Sequence, residues 1–464
     1  METRVEKDSL GDRLIPKNAY YGVQTHRALE NFPISELRPK PAYVEATVHI
    51  KRAAAIVNKE LGLLDSKKAD AIVQAADEVL AGKLREWFLV DVYQAGAGTS
   101  HNMNCNEVLA NRAVEILGGQ KGDYKMVSPN DDVNMAQSTN DVCPTAIRIG
   151  GLMEIRKLLP TLENLEKEFI KKGKEFDQII KSGRTHLMDA VPVRLGQEFT
   201  AYGVNIRKHW KAIEQAAESS KELGIGGTAT GTGLNAHPKF RKMMADQLTK
   251  QTGINFRMAE DYFEAMQSLR PMVELSSAIR NVAQDLSRIS NDIRLLGSGP
   301  KTGLAEINLP AVQPGSSIMP GKVNPSIVEM VNMVCFQVMG CDTTVLMSAQ
   351  AGQLELNVMM PVVAFNLLHE IEILKNAVDV FIKYCISGLS ANQERCQSYA
   401  ENSTSIVTVL NPHIGYLAGA EIAKEYLKSG KPIRQLVLEK KLLTAEQLDK
   451  VFDLRGMTEP GIHK

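Results

Sequence analysis

Four short stretches of this chain concentrate groups able to bind and activate a small anion: GAGTSHNMNCNE (Gly96 to Glu107), AQSTND (Ala136 to Asp141), GRTHLMDAVPV (Gly183 to Val193) and QPGSSIMPGKVNP (Gln313 to Pro325). Together they supply Thr99, Ser100, Asn102, Ser138, Thr139, Asn140 and Thr185 as hydroxyl and amide donors, beside His186, Lys322 and Glu329 as chargeable groups. Neutral donors, joined by backbone N–H groups that glycine leaves open, are suited to holding carboxylates. Taken singly, each stretch also reads as a helix cap, because Ser, Thr and Asn before a helix usually serve that purpose. A lone His186 is most often a hydrogen-bonded structural histidine. Four such stretches in an otherwise helical pattern exceed what capping requires. Lys322 lies between Gly321 and Val323, in a loop that also carries Ile318 and Met319. An unpaired ammonium would be costly there if buried, and an anionic ligand would offset that cost.

The remaining signals exclude other chemistries. The run GIGGTATGTGLN (Gly224 to Asn235) matches neither phosphate-loop nor dinucleotide patterns, and no strand precedes it. None of the nine histidines forms a His-x-x-x-His pair or sits beside a cysteine pair, so no metal and no cofactor is expected. The six cysteines are scattered, and read as reduced, mostly buried thiols. Lys+Arg and Asp+Glu balance at 54 each, which leaves no electrostatic footprint for nucleic acid or anionic lipid and points to a small-molecule partner. The N-terminus mixes charges and lacks an apolar signal core, and no stretch approaches the ~18 apolar residues of a membrane span. A cytoplasmic protein is expected.

The elements that must position these groups are helices. The 464 residues suffice for about three domains. Aromatics are 5% of the chain and alternation with period two is rare, so the fold class is mainly α. Met272, Leu275, Ile279, Val282, Leu286, Ile289, Ile293 and Leu296 step by three and four without a miss, a seam of the kind helix bundles bury. Leu152, Ile155, Leu159, Leu162, Leu165 and Phe169 trace a second stripe, which Pro160 should kink or offset. Two further helices, from Ile327 to about Met347 and from about Leu356 to Ile386, are apolar on several sides and need neighbours that other copies of the chain would supply. Turn formers in Tyr124 to Asp141 and a break near Gly388 divide the chain into an N-terminal helical domain (1–140), a central bundle domain (141–390) and a small C-terminal helical domain (391–464).

GSSIMPGKVNP resembles the signature of the fumarase/aspartase superfamily of lyases, and the other three stretches are similar to its remaining active-site regions in the same order. The likeness runs over nearly the whole chain, including GTGLN and the C-terminal TEPGI. GAGTS and QSTND resemble the ammonia-lyase branch, whereas fumarases more typically read GSGTQ and QSSND. One departure is Met360, where the ammonia-lyases often carry glutamate after LNVM. The resemblance implies a long central helix bundle shared across a homotetramer, with active sites assembled from different subunits. It also implies reversible elimination of ammonia from L-aspartate to give fumarate. The alternatives are fumarate hydration through the same intermediate, a lyase for a bulkier succinyl-type substrate, and a non-catalytic structural tetramer.

Carried onto this chain, the resemblance implies that Thr99, Ser138, Thr139 and Ser317 hold the β-carboxylate and its dianionic aci form. Thr185, Lys322 and Asn324 would hold the α-carboxylate, and Asn140 and His186 would face the amino group, with Glu329 orienting the imidazole. Ser316 would be the base. Its hydroxyl must be deprotonated to act, so the loop Gln313 to Pro325 has to provide an unusual environment, and is expected to move as a lid.

Overall fold

The structure, a computed structural model, describes residues 2–462. An N-terminal hairpin, β1 (Thr3–Asp8) and β2 (Gly11–Pro16), leads into α1 (Val23–Asn31), α2 (Pro41–Glu60), α3 (Ser66–Leu80) and α4 (Thr99–Ile116). The long α5 (Thr139–Glu175) is followed by a second hairpin, β3 (Ile180–Thr185) and β4 (Met188–Arg194), then by α6 (Leu195–Ala217), α7 (Phe240–Thr252) and α8 (Tyr262–Gln267). Three further long helices, α9 (Arg270–Leu296), α10 (Ser326–Ala349) and α11 (Met360–Phe381), precede short helices that include Gln393–Asn402, Tyr416–Ser429, Ile433–Glu439 and Ala445–Val451. The fold is mainly α, as the sequence pattern predicts.

The chain forms two compact units. The first comprises the residues up to Pro160 with His209–Gln284 and Val334–Asn376. Its best-defined core joins α2, α3 and α4 through Val44, Val48, Ala55, Ile72, Ala75, Ala76, Val79, Val108 and Leu109, where repeated alanines let the helix backbones approach closely. The second comprises Thr161–Lys208, Asp285–Met333 and the residues from Ala377 onward. Phe169, Phe176, Phe199, Tyr202 and Phe381 interlock there in tilted and edge-on pairs. A separate small core of Ile406, Leu410, Ile422, Leu436, Val437, Leu448 and Val451 supports the C-terminal helices.

All eight seam residues of α9 are buried. α5 begins thirteen residues before the Leu152 stripe and continues through Pro160 without ending there. Burial of Ile155, Leu158, Leu162, Leu165 and Phe169 outweighs the hydrogen bond that proline removes, a loss of about 3 kcal/mol. α10 comes nearer to a membrane-spanning composition than the sequence reading allowed, because only Glu329 and Asp342 are charged over its 24 residues. Asp342 lies within it and is held by Ser276 Oγ at 2.9 Å and Arg280 at 2.9 Å. Met333, Phe336, Leu346 and Met347 of the same helix are exposed.

Candidate active site

Two helix N-termini build the first part of the site. Gly98 at φ +92° and Ala97 at φ +60° turn the chain so that α4 starts at Thr99, which is exposed. Ser138 caps α5: its Oγ accepts the Asn140 N–H at 3.2 Å, and Asp141 Oδ1 accepts the Ser138 N–H at 2.9 Å. This is a reciprocal cap with aspartate in the third helical position. One turn into α4, Asn102 Nδ2 donates to Thr139 Oγ1 at 3.1 Å and so ties the two helix starts together. Two positive helix ends carrying hydroxyls are a suitable seat for a carboxylate.

Beneath them is a polar floor that the sequence reading missed. Lys51 of α2 is fully buried and donates to Asn134 Oδ1 at 2.8 Å and Gln137 Oε1 at 3.0 Å. Asn134 Oδ1 also receives Asn102 and Asn106, each at 3.3 Å. Burial pushes the Lys51 ammonium down to about 8, and burial pushes the Asp141 carboxyl up to about 6 against three backbone donors and the nearby Lys51. The floor therefore holds the QSTND turn from below. Two members of the first stretch turn out to be structural. His101 stacks on Tyr43 with ring centroids 4.2 Å apart, contacts Thr47 Oγ1 at 2.9 Å, and is pushed down to about 3 by burial. Glu107 accepts the Gly22, Gln24 and Thr25 N–H groups and the Thr25 hydroxyl, anchoring the start of α1, and burial pushes its carboxyl up to about 7.

Thr99, Ser138, Thr139 and Asn140 thus belong to the first unit; Thr185, His186, Ser316, Ser317, Lys322, Asn324 and Glu329 belong to the second. In the second unit, Thr185 and Met188 close the β3–β4 hairpin, leaving His186 and Leu187 as a two-residue turn with φ of +56° and +60°. Neither is glycine, and such a turn strains both residues by about 1 kcal/mol or more each. Thr185 and His186 are exposed at this tip. The base of the hairpin is clasped by the C-terminal segment: Arg194 donates to Thr458 Oγ1 at 2.7 Å and pairs with Glu459, and Arg455 pairs with Asp177 at 2.9 Å. The TEPGI motif therefore steadies the hairpin that presents Thr185 and His186.

The Gln313–Pro325 loop folds back on itself. Gly315 N–H donates to the Lys322 carbonyl at 2.8 Å, and Asn324 Nδ2 donates to the Gly315 carbonyl at 2.6 Å. A Cβ at position 315 would lie 2.5 Å from Asn324 N, so only glycine fits. Within the loop, Ser316 Oγ accepts the Ile318 N–H at 3.2 Å and the Met319 N–H at 2.8 Å. Ser317 and Lys322 are exposed, and Asn324 is half-buried. Exposure removes the burial cost considered for Lys322: its ammonium is hydrated within the single chain. Glu329 sits half-buried in the first turn of α10. Among the described residues no hydrogen bond or ion pair joins Glu329 to His186, or the hairpin tip to the loop.

A family model described as lyase matches residues 11–340, and one described as fumarase C C-terminus matches 406–459. The chain is 48% identical to the aspartate ammonia-lyase of Bacillus subtilis over 461 residues, covering 99% of this chain and 97% of that protein. Among solved structures, a fumarate lyase:delta crystallin from Brucella melitensis is 47% identical with a TM-score of 0.96, covering 99% of this chain and 100% of that one. A class II fumarase from Schistosoma mansoni is 40% identical with a TM-score of 0.96 over the same shares.

Proposed function

Because the chain belongs to the fumarase and aspartase family of lyases, we infer that it is an aspartate ammonia-lyase, catalysing the reversible elimination of ammonia from L-aspartate to give fumarate. The observation that carries the chemistry is Ser316 Oγ, which receives two backbone N–H groups in an otherwise exposed loop. Two fixed donors on a hydroxyl oxygen favour its alkoxide, the form needed to take a weakly acidic carbon-bound proton. The alkoxide removes the Cβ proton, and the electron pair passes into the adjacent carboxylate as an aci-carboxylate. Collapse of that dianion forms the double bond and expels ammonia from Cα.

In this reading Thr99, Ser138, Thr139 and Ser317 receive the β-carboxylate, where two helix N-termini and neutral donors meet the developing charge. Lys322, with Thr185 and Asn324, receives the α-carboxylate. Asn140 and His186 face the amino group, with Glu329 orienting the imidazole. The protein works as a cytoplasmic homotetramer. Exposed Met333, Phe336, Leu346 and Met347 on α10 support packing of the long helices against other copies, and sites built from several subunits account for a Glu329–His186 pair that no single chain forms. Fumarate hydration is the competing activity, and likeness to a class II fumarase keeps it in view.

The deciding experiment incubates the protein with fumarate, with and without ammonium, and identifies the product. Aspartate formed only with ammonium is the expected result. Malate formed in both mixtures would replace this reading by that of a fumarase, and no reaction in either direction would favour a structural tetramer.

A further inference from the structure

The glycine-rich run 224–235 lies against the start of α5. Asp141 Oδ2 accepts the Gly226 and Thr228 N–H groups, each at 2.9 Å, and Asn140 Nδ2 donates to the Ala229 carbonyl at 2.8 Å. Two adjacent side chains of α5 therefore grip one loop at three points within four residues. The loop is shaped to be gripped: Gly226, Gly231 and Gly233 have φ of +89°, +111° and +78°, and buried Thr228 is held at φ +57°. From behind, Arg241 of α7 donates to the Gly226 carbonyl at 3.1 Å and the Gly231 carbonyl at 2.9 Å, and its guanidinium lies 3.7 Å over the Tyr262 ring. A Cβ on Gly226 would come within 2.7 Å of the Arg241 side chain, so the fit is close.

The consequence falls on Asn140. A backbone carbonyl is only an acceptor, so the Asn140 amide must turn its NH2 group to Ala229, which leaves Oδ1 as the oxygen free to meet another group. An amide presenting oxygen accepts from an ammonium and repels a carboxylate; the flipped amide would do the reverse. We propose that the 224–235 loop, braced by Arg241, fixes the orientation of Asn140 and thereby sets selectivity for a substrate bearing an amino group, which makes Arg241 a positioning residue for amine recognition. This rests on the reading above that Asn140 faces the substrate nitrogen. The Ser138 cap is made by bonds within residues 138–141 and shares Asp141 with the loop; Arg241 bonds the Gly226 and Gly231 carbonyls and neither Ser138 nor Asp141, so its loss should disturb the carboxylate seat less than it disturbs Asn140.

The test compares L-aspartate with succinate, which carries both carboxylates and no nitrogen. Turnover of aspartate by the unmodified enzyme is measured first; its absence would sink the functional reading itself. In Arg241→Met the KM for aspartate should rise roughly five- to tenfold, the scale of one impaired hydrogen bond to a charged group, while the inhibition constant of succinate stays within about twofold. Arg241→Lys, which keeps one donor, should fall between. Parallel weakening of both ligands, or an unchanged KM, overturns the proposal while leaving the functional reading intact. Should the Arg241 variants not fold, hydrogen exchange on Ser316→Ala decides: amides of residues 226–231 should be protected at least about threefold more by aspartate than by succinate, and equal protection overturns it.

Discussion

If Ser316 is the base, replacing it by alanine should remove that function and little else. The two N–H groups it frees, from Ile318 and Met319, lie in an exposed loop where water replaces the lost acceptor. A hydrogen bond to a charged acceptor is worth about 1–1.5 kcal/mol more than one to a neutral acceptor, so the pair favours the alkoxide over the hydroxyl by roughly 2–3 kcal/mol. A positioned general base is worth ~10²–10⁴ in rate, so kcat for aspartate should fall by at least ~10². The assay is the ultraviolet absorbance of the fumarate double bond, with succinate inhibition and thermal unfolding measured in parallel. The inhibition constant and midpoint should stay near those of the unmodified enzyme, because on this reading Ser316 holds no carboxylate and it lies in a loop outside the core. Turnover within tenfold of the unmodified protein would remove Ser316 from the base role. An equal loss of succinate binding would show that it holds substrate instead.

Lys322→Ala should raise the succinate inhibition constant roughly ten- to a hundredfold, the value of a hydrogen bond between charged groups, and an unchanged constant would show that the ammonium points elsewhere. Gly315→Ala places a Cβ 2.5 Å from Asn324 N and 2.6 Å from the Lys322 carbonyl oxygen, backbone atoms that cannot rotate away. Turnover should fall at least about tenfold with the unfolding midpoint unmoved, since the loop is exposed, and full activity would mean that its fold-back geometry is dispensable. Lys51→Met probes the buried floor through pH. The Lys51 amine falls from 10.5 to about 8 on folding, so between those values the unfolded chain holds a proton that the folded protein lacks. The unmodified protein should therefore gain stability relative to Lys51→Met as pH rises through that window, by roughly 3 kcal/mol in all, read from urea unfolding at pH 7 and pH 10. Parallel curves would show that Lys51 carries no burial penalty.

Helices whose apolar residues recur along one face were legible because burial enforces that period. The α9 seam, from Met272 to Leu296, is buried at every position. The two hairpins were not, being short and half-exposed, with charged residues through TRVEKD and IKSGRT that obscure alternation. The four polar stretches were visible as departures from the helical background. Their support was harder to see, although one signal was present: Lys51 falls on the stripe Val44, Val48, Lys51, Ala55, a cation on an apolar face that needed an explanation. The role of the 224–235 loop could not be read, since its hydrogen-bond partners Asp141 and Asn140 are about 85 residues away in sequence and its shape rests on φ angles that only coordinates supply.

The distribution of charge between rigid and exposed parts follows from desolvation. Ser138, Thr139 and Asn102 are neutral, and they are fixed by the α5 cap, by the Asn102–Thr139 bond and by a floor whose cation, Lys51, is already engaged with two amide oxygens. Neutral groups cost less to enclose than charged ones, and fixed dipoles need no reorganisation when charge develops on the substrate. Exposed Lys322 and half-buried Ser316, which on the proposed mechanism carry full charge during turnover, lie instead on a largely exposed loop, and His186 is exposed at a strained hairpin tip. A bare ammonium or alkoxide held permanently in a closed site would cost several kcal/mol in the empty enzyme. Kept on exposed segments, these groups stay hydrated until a dicarboxylate is present to replace the water, so charge is desolvated only when its counter-charge has arrived.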